Sequence, residues 1–121
     1  MGKKALIVDD SASMRQMINF TLDEEGWEVA EASNGKEGLD QLHLTHPQLV
    51  ITDIHMPEMN GIEFIKNVRT ASEFKFTPII VLTTESEKSM QEKGKEAGAT
   101  AWIVKPFTPE KLKEVVKKVC G

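Results

Sequence analysis

Five short apolar runs, each followed by a segment with helical spacing, restrict this chain to a small set of folds. The runs are Lys4–Val8, Trp27–Ala32, Leu49–Thr52 ending at Asp53, Pro78–Thr84 and Thr100–Val104. Val50 and Ile51 are consecutive apolar residues, and Pro78–Thr84 is the most continuous apolar run. Both patterns predict strands covered on two faces. Trp27–Ala32 alternates more and carries two charges, which predicts an edge strand.

Between these runs the period changes to that of a helix. Ser11 or Ser13 can cap a first helix in which Met14, Met17, Ile18, Thr21 and Leu22 recur at helical spacing before Gly26 stops it. Gly35 to His46 is a second helix, with Leu39 and Leu42 inward, closed before Pro47. A third begins at about Gly61, with Ile62, Ile65 and Val68 on one face, and Thr70 to Thr77 is a loop. Glu85 to Ala97 reads as a fourth helix ended by Gly98. Its apolar content is Met90 and Ala97, with Gly94 inside it, so it is expected to be the most mobile helix. Thr108 caps a fifth, with Pro109 at its first position and Leu112, Val115, Val116 and Val119 on its buried face.

Strands alternating with helices in this way predict an α/β fold, a doubly wound five-stranded parallel sheet with its five helices on two faces. With the second strand at an edge beside the first, the chain must reverse to place the third on the first strand's other side. The resulting order 2-1-3-4-5 matches the known flavodoxin-like solution, with helices one and five on one face and two to four on the other. In such sheets ligands bind at the carboxyl ends of the strands, at the switch point between strands one and three. Asp9-Asp10 and Asp53 end those two strands.

At 121 residues, 40% hydrophobic and 28% charged, the chain is expected to be one domain, residues 1–121, of the ordinary soluble class. A net charge of −4 gives no general reason to expect nucleic acid or membrane as a partner, and no apolar run approaches membrane-spanning length. Met1-Gly2-Lys3-Lys4 is followed by too few apolar residues for a signal peptide, and Leu6 replaces the Ser or Thr of a myristoylation motif. The single cysteine, Cys120, has no internal disulfide partner, which suits a reducing compartment, and a cytoplasmic location is expected.

Three carboxylates meeting at one switch point repel, and stay ionised together only beside a compensating cation. Mg²⁺ suits them, because it takes carboxylates together with water and phosphate oxygens. Strands four and five end beside them and contribute Thr83 and Lys105. A hydroxyl and an ammonium facing a metal-bound carboxylate suit a transferred phosphoryl group, with Asp53 as its nucleophilic acceptor. Taken singly, an acidic pair after a strand is usually a loop start, a Lys-Pro a solvated turn, and a Thr a helix cap, for which Thr84 or Ser86 would serve equally. Their joint position at the strand ends carries the functional reading.

At these residues the chain resembles the receiver domain of two-component response regulators. The matching pieces are Val8-Asp9-Asp10-Ser11, Asp53-Ile54-His55-Met56-Pro57-Glu58-Met59-Asn60-Gly61, Val81-Leu82-Thr83-Thr84 and Val104-Lys105-Pro106-Phe107. They recur in order across essentially the whole chain. A softer resemblance, in Ser11 with Ser13-Met14-Arg15, is to stand-alone receivers of the chemotaxis branch. The resemblance implies that the phosphohistidine of a histidine kinase donates its phosphoryl group to Asp53. It further implies that the backbone carbonyl of His55 joins Asp9, Asp10 and Asp53 around Mg²⁺, that Lys105 pairs with the phosphoryl group, and that Thr83 moves to bond it. That movement is coupled in the family to an aromatic on strand five, here Trp102. The output surface would be the fourth helix, fifth strand and fifth helix, facing a downstream protein such as a flagellar motor switch.

Two departures bear on the switch. The family's aromatic is commonly Tyr or Phe, whereas an indole has only a donor. Thr84 also occupies a position where a smaller residue often makes room for the aromatic. His55 and Glu85 lie at positions that vary and tune hydrolysis.

A phosphohydrolase of the haloacid dehalogenase type also uses a strand-end Asp with Mg²⁺, but needs a second acid two residues later, where this chain has His55. A flavodoxin-like cofactor carrier would need a phosphate-cradling loop after strand one, where Asp9-Asp10 repels phosphate. The expected protein is therefore no enzyme beyond its own phosphorylation and slow dephosphorylation. His43 and His46 read as solvated, Met14, Met17 and Met90 as core, and Trp27 as a strand-edge anchor.

Overall fold

The computed structural model describes residues 3–120, so the expectations placed on Met1-Gly2 lie outside the described residues. Strand β1 (Lys3–Val8) is paired on both sides, by β2 (Trp27–Ala32) and by β3 (Leu49–Thr52). Beyond β3 come β4 (Ile79–Thr83) and then β5 (Ala101–Val104). Every pairing is parallel, and the order β2-β1-β3-β4-β5 is the one the sequence predicts.

Alternation along β1 divides its side chains between two cores. Leu6 and Val8 join Val50, Val81 and the buried faces of α2 (Gly35–Thr45), α3 (Gly61–Thr70) and α4 (Lys88–Ala97). Ala5 and Ile7 join Ile51, Ile80 and Leu82 beneath α1 (Ala12–Glu24) and α5 (Pro109–Cys120). Burying a side chain of this size contributes about 1.5–3 kcal/mol, so a β1 covered on both faces anchors the sheet. Ser11, not Ser13, caps α1 by accepting the Met14 N–H. Asn34, Asn60 and Thr108 cap α2, α3 and α5 in the same way, whereas the side chain of Glu87, the residue before α4, caps nothing.

The helices depart from the sequence expectation in where their faces and ends fall. α4 begins at Lys88 rather than Glu85, because the three preceding residues are drawn into other bonds. The Glu85 carboxylate accepts from the Glu87 N–H, and the Glu85 N–H is taken by the Thr83 hydroxyl. On α3 the buried stripe is Gly61, Phe64, Ile65 and Val68, with Ile62 only partly covered. On α2, Gly38 is buried and Leu39 half-buried; a Cβ at Gly38 would meet Phe64 and Val8. Met17 is 39% exposed rather than core, while Met14 and Met90 pack partly buried. The expected Thr70–Thr77 loop contains a 3-10 turn, Ser72–Phe74, that buries Phe74. His43 and His46 are exposed, as expected, and each lays one side of its ring 5.6 Å from the buried Phe74.

Candidate functional site

Because the strands are parallel and in register, Val8 lies beside Thr52 and Thr83 beside Val104, and the residues that follow them converge. The Asp53 N–H donates to the Val8 carbonyl at 2.9 Å, extending the β1–β3 ladder one step past β3. The loop after it is folded tightly back: the Gly61 N–H donates to the Ile54 carbonyl, and a Cβ at Gly61 would overlap the Asp53 carbonyl oxygen. Only glycine leaves room for that approach. On the neighbouring strand the Asp9 N–H donates to the Ala32 carbonyl at 3.1 Å.

The result is a cluster in which one carboxylate oxygen from each of Asp9, Asp10 and Asp53 lies within 4.8 Å of the others. Lys105 enters from the end of β5, where its N–H donates to the Thr83 carbonyl. Its ammonium donates to Asp9 Oδ2 at 3.0 Å and to Asp53 Oδ2 at 3.2 Å. Sequence reasoning named these four residues, and the fold brings them together.

Asp9 is 2% exposed and Asp53 8%, while Asp10 faces solvent. Burial pushes the Asp9 carboxyl above the ordinary carboxylate range, and the nearby Asp53 adds to that. The Ser11 N–H and the Lys105 ammonium oppose the rise. Three carboxylates against one ammonium leave two negative charges uncompensated when all are ionised. An all-oxygen donor set with that deficit fits a hard divalent cation.

Thr83, fully buried at the end of β4, accepts the Glu85 N–H at 3.3 Å. The Glu85 carbonyl in turn accepts from Trp102 Nε1 at 3.0 Å. The Glu85 carboxylate pairs with His55 Nε2 at 2.9 Å, and this bond, aided by the Glu87 N–H, holds its carboxyl below the ordinary range. The Trp102 ring lies against Gly94 of α4, where a Cβ would run into it. One loop residue therefore touches the Asp53 loop, Thr83 and the β5 aromatic. The sequence had marked Thr83, His55 and Trp102 but not Glu85 as their common neighbour. A Glu after Thr-Thr carries no signal separating a helix start from such a junction.

A doubly wound sheet with this acid cluster and facing ammonium defines a class, and the sequence falls within it. The chain belongs to the response regulator receiver domain family, which its residues 5–117 match. It is 46% identical over 120 residues to the chemotaxis protein CheY1 of Helicobacter pylori, covering 98% of this chain and 97% of that one. It is 42% identical to the chemotaxis protein CheY of Thermotoga maritima, with 98% of each covered. Among solved structures, Vibrio cholerae chemotaxis protein CheY4 superposes with a TM-score of 0.94 at 45% identity, covering 98% of this chain and 99% of that one. The phosphohydrolase reading has no support beside this match, and the position two residues after Asp53 holds an imidazole turned to Glu85.

Proposed function

We propose that the chain is a phosphorylation-controlled switch in which Asp53 is the phosphoacceptor. The observation that carries this reading is the Asp53 carboxylate at the end of a central strand, with Lys105 Nζ at 3.2 Å and two further carboxylates grouped beside it. In the proposed step an Asp53 carboxylate oxygen attacks the phosphorus of a histidine kinase's phosphohistidine. An acyl phosphate bond forms, the P–N bond breaks, and the leaving imidazole takes up a proton. Asp9, Asp10, Asp53 and the His55 main-chain carbonyl would hold Mg²⁺, which when bound would supply charge neutralisation for the transferred group.

Lys105 releases its carboxylate partners to pair with the incoming phosphoryl oxygens. Thr83 turns its hydroxyl from the Glu85 N–H to donate to one of them. Through the Glu85 carbonyl, that turn would reach Trp102 and the face formed by α4, β5 and α5, where a downstream protein binds. The chemotaxis relatives favour a motility pathway and a motor-type target, in a cytoplasmic setting. His55, beside the acceptor, would slow the approach of water to the acyl phosphate.

The test offers Mg²⁺ and acetyl phosphate and looks for a single acid-stable, base-labile phosphoryl group. The parent should take it up and Asp53→Asn should not. Equal labelling of Asp53→Asn removes the reading.

A further inference from the structure

Asp9 is held by all of its polar atoms. Its N–H donates to Ala32, Oδ1 accepts from the Ser11 N–H, and Oδ2 accepts from Lys105. The remaining partner, on the main-chain carbonyl, is the guanidinium of Arg15, whose Nη1 donates at 2.7 Å. That carbonyl belongs to the peptide linking Asp9 to Asp10. Gripping it fixes the peptide plane, and with it the direction in which the exposed Asp10 leaves a buried Asp9.

Arg15 is itself fixed. Its Nε donates to Glu31 Oε1 at 3.0 Å, and the other oxygen of Glu31 accepts from Asn19 at 2.8 Å. The fork therefore spans α1, the end of β2 and the loop after β1. A cation in the first turn of α1 lies at the positive end of the helix dipole, so the helix gains nothing from it there. Nor does a positive charge near the cluster help a cation to bind. The geometry of the fork is what such a residue can offer, and lysine cannot reproduce two bonds in fixed directions.

We propose that Arg15 is a positioning residue for the metal site: by holding the Asp9–Asp10 peptide it presents both carboxylates to one cation. The inference rests on the reading of Asp9 and Asp10 as Mg²⁺ ligands. It places the parent above Arg15→Met in Mg²⁺ affinity, where charge alone would place it below. Losing the fork weakens Mg²⁺ binding by about tenfold, as loss of a ligand-orienting partner does. Arg15→Met also loses a repelling charge, which offsets part of that loss. Arg15→Lys keeps the charge and loses the fork, so it is the weaker binder of the two by about twofold.

Mg²⁺ titrations of the full chain by calorimetry, at constant ionic strength, compare the parent, Arg15→Met and Arg15→Lys. Denaturation midpoints establish that each variant is folded. Metal-free hydrogen exchange at the Ser11 amide, which donates to Asp9 Oδ1, gives a second readout, expected to quicken in both variants. The order parent, Arg15→Met, Arg15→Lys from tightest to weakest supports the proposal. It is overturned by Arg15→Met binding more tightly than the parent with Arg15→Lys equal to the parent, or by unchanged exchange at the Ser11 amide. A parent that binds no Mg²⁺ overturns the ligand reading itself, and the inference with it.

Discussion

The two flanks of the acid cluster are built to different standards. On the β1 side every polar atom of Asp9 has a partner, and α1 behind it is capped and buries Ile18, Thr21 and Leu22. On the β4 side the corresponding helix, α4, has no side-chain cap and buries only Gly94 and Ala97. It is fastened at its far end, where the Arg69 guanidinium donates twice to the Gly98 carbonyl and once to Phe74. Its near end, by Thr83, meets the site through Glu85. Carboxylates that repel one another need a fixed frame, whereas a reporter of phosphorylation needs two arrangements of similar energy. The fixed frame lies on the β1 side of Asp53, and the sparsely anchored α4 on the β4 side suits the reporter proposed above.

This contrast can be broken first at its rigid part. Gly61→Ala places a methyl against the Asp53 carbonyl and within 2.8 Å of Ile54 Cα, both main-chain atoms. A cost of more than about 3 kcal/mol is expected in urea denaturation. A loss under about 1 kcal/mol would mean that the loop after β3 yields, and the frame is not fixed.

Asp9→Asn tests the charge the frame restrains. The folded carboxyl lies above 3.8, so the folded state holds that proton more tightly than the unfolded chain does. Stability of the metal-free protein is therefore lost as pH rises from about 3.8 through the raised value, and neutral pH bears the full cost. Without metal, Asp9→Asn should be the more stable protein at pH 7, with the advantage fading towards acid. Mg²⁺ at one hundred times its dissociation constant should restore about 2.7 kcal/mol to the parent and much less to the variant. Parallel stability curves for the two proteins across pH would refute the account.

On the adjustable flank, Arg69→Met removes charged hydrogen bonds at the C-terminal end of α4 and should cost about 1.5–2.5 kcal/mol. Amide exchange around Ala97 to Ala99 should quicken. If it does not, the helix is not fastened there. The smallest effect is expected from Glu87→Ser, which offers α4 a cap and should add about 0.5–1 kcal/mol. It should also bias the near end of α4 against rearrangement, seen as a smaller change in Trp102 emission on phosphorylation in a Trp27→Phe background. An undiminished change would mean that the near end is not the part that moves.

The fold was legible because apolar period and strand-end chemistry agreed along the chain. Consecutive Val50-Ile51 and the run from Ile79 to Leu82 could not face water, and the sheet buries them completely. The acids, Lys105 and Thr83 followed from where those strands stop. What escaped were interactions between distant loops. Glu85 reads in sequence as a helix start, but in the fold His55, Thr83 and Trp102 surround it. Ile62, Ile65 and Val68 form as good a helical stripe as one through Phe64, and only packing against Gly38 decides between them. Arg15 matched the family softly, but its grip on the Asp9 carbonyl is a matter of reach, which spacing does not encode.

The pairing of Lys105 with Asp9 spans 96 residues of chain, and its pairing with Asp53 spans 52. Contacts so far apart in sequence are expected to form after the local helices and turns, which pulsed amide exchange during refolding would check. The first three strands on their own would group the acids without an opposing ammonium, a cluster that repels itself. On the proposed reading, a chain folded only through β3 would lack the ammonium that faces Asp53, and that ammonium would arrive with the strand that also carries Trp102. The proposed chemistry and its proposed readout would then be completed together.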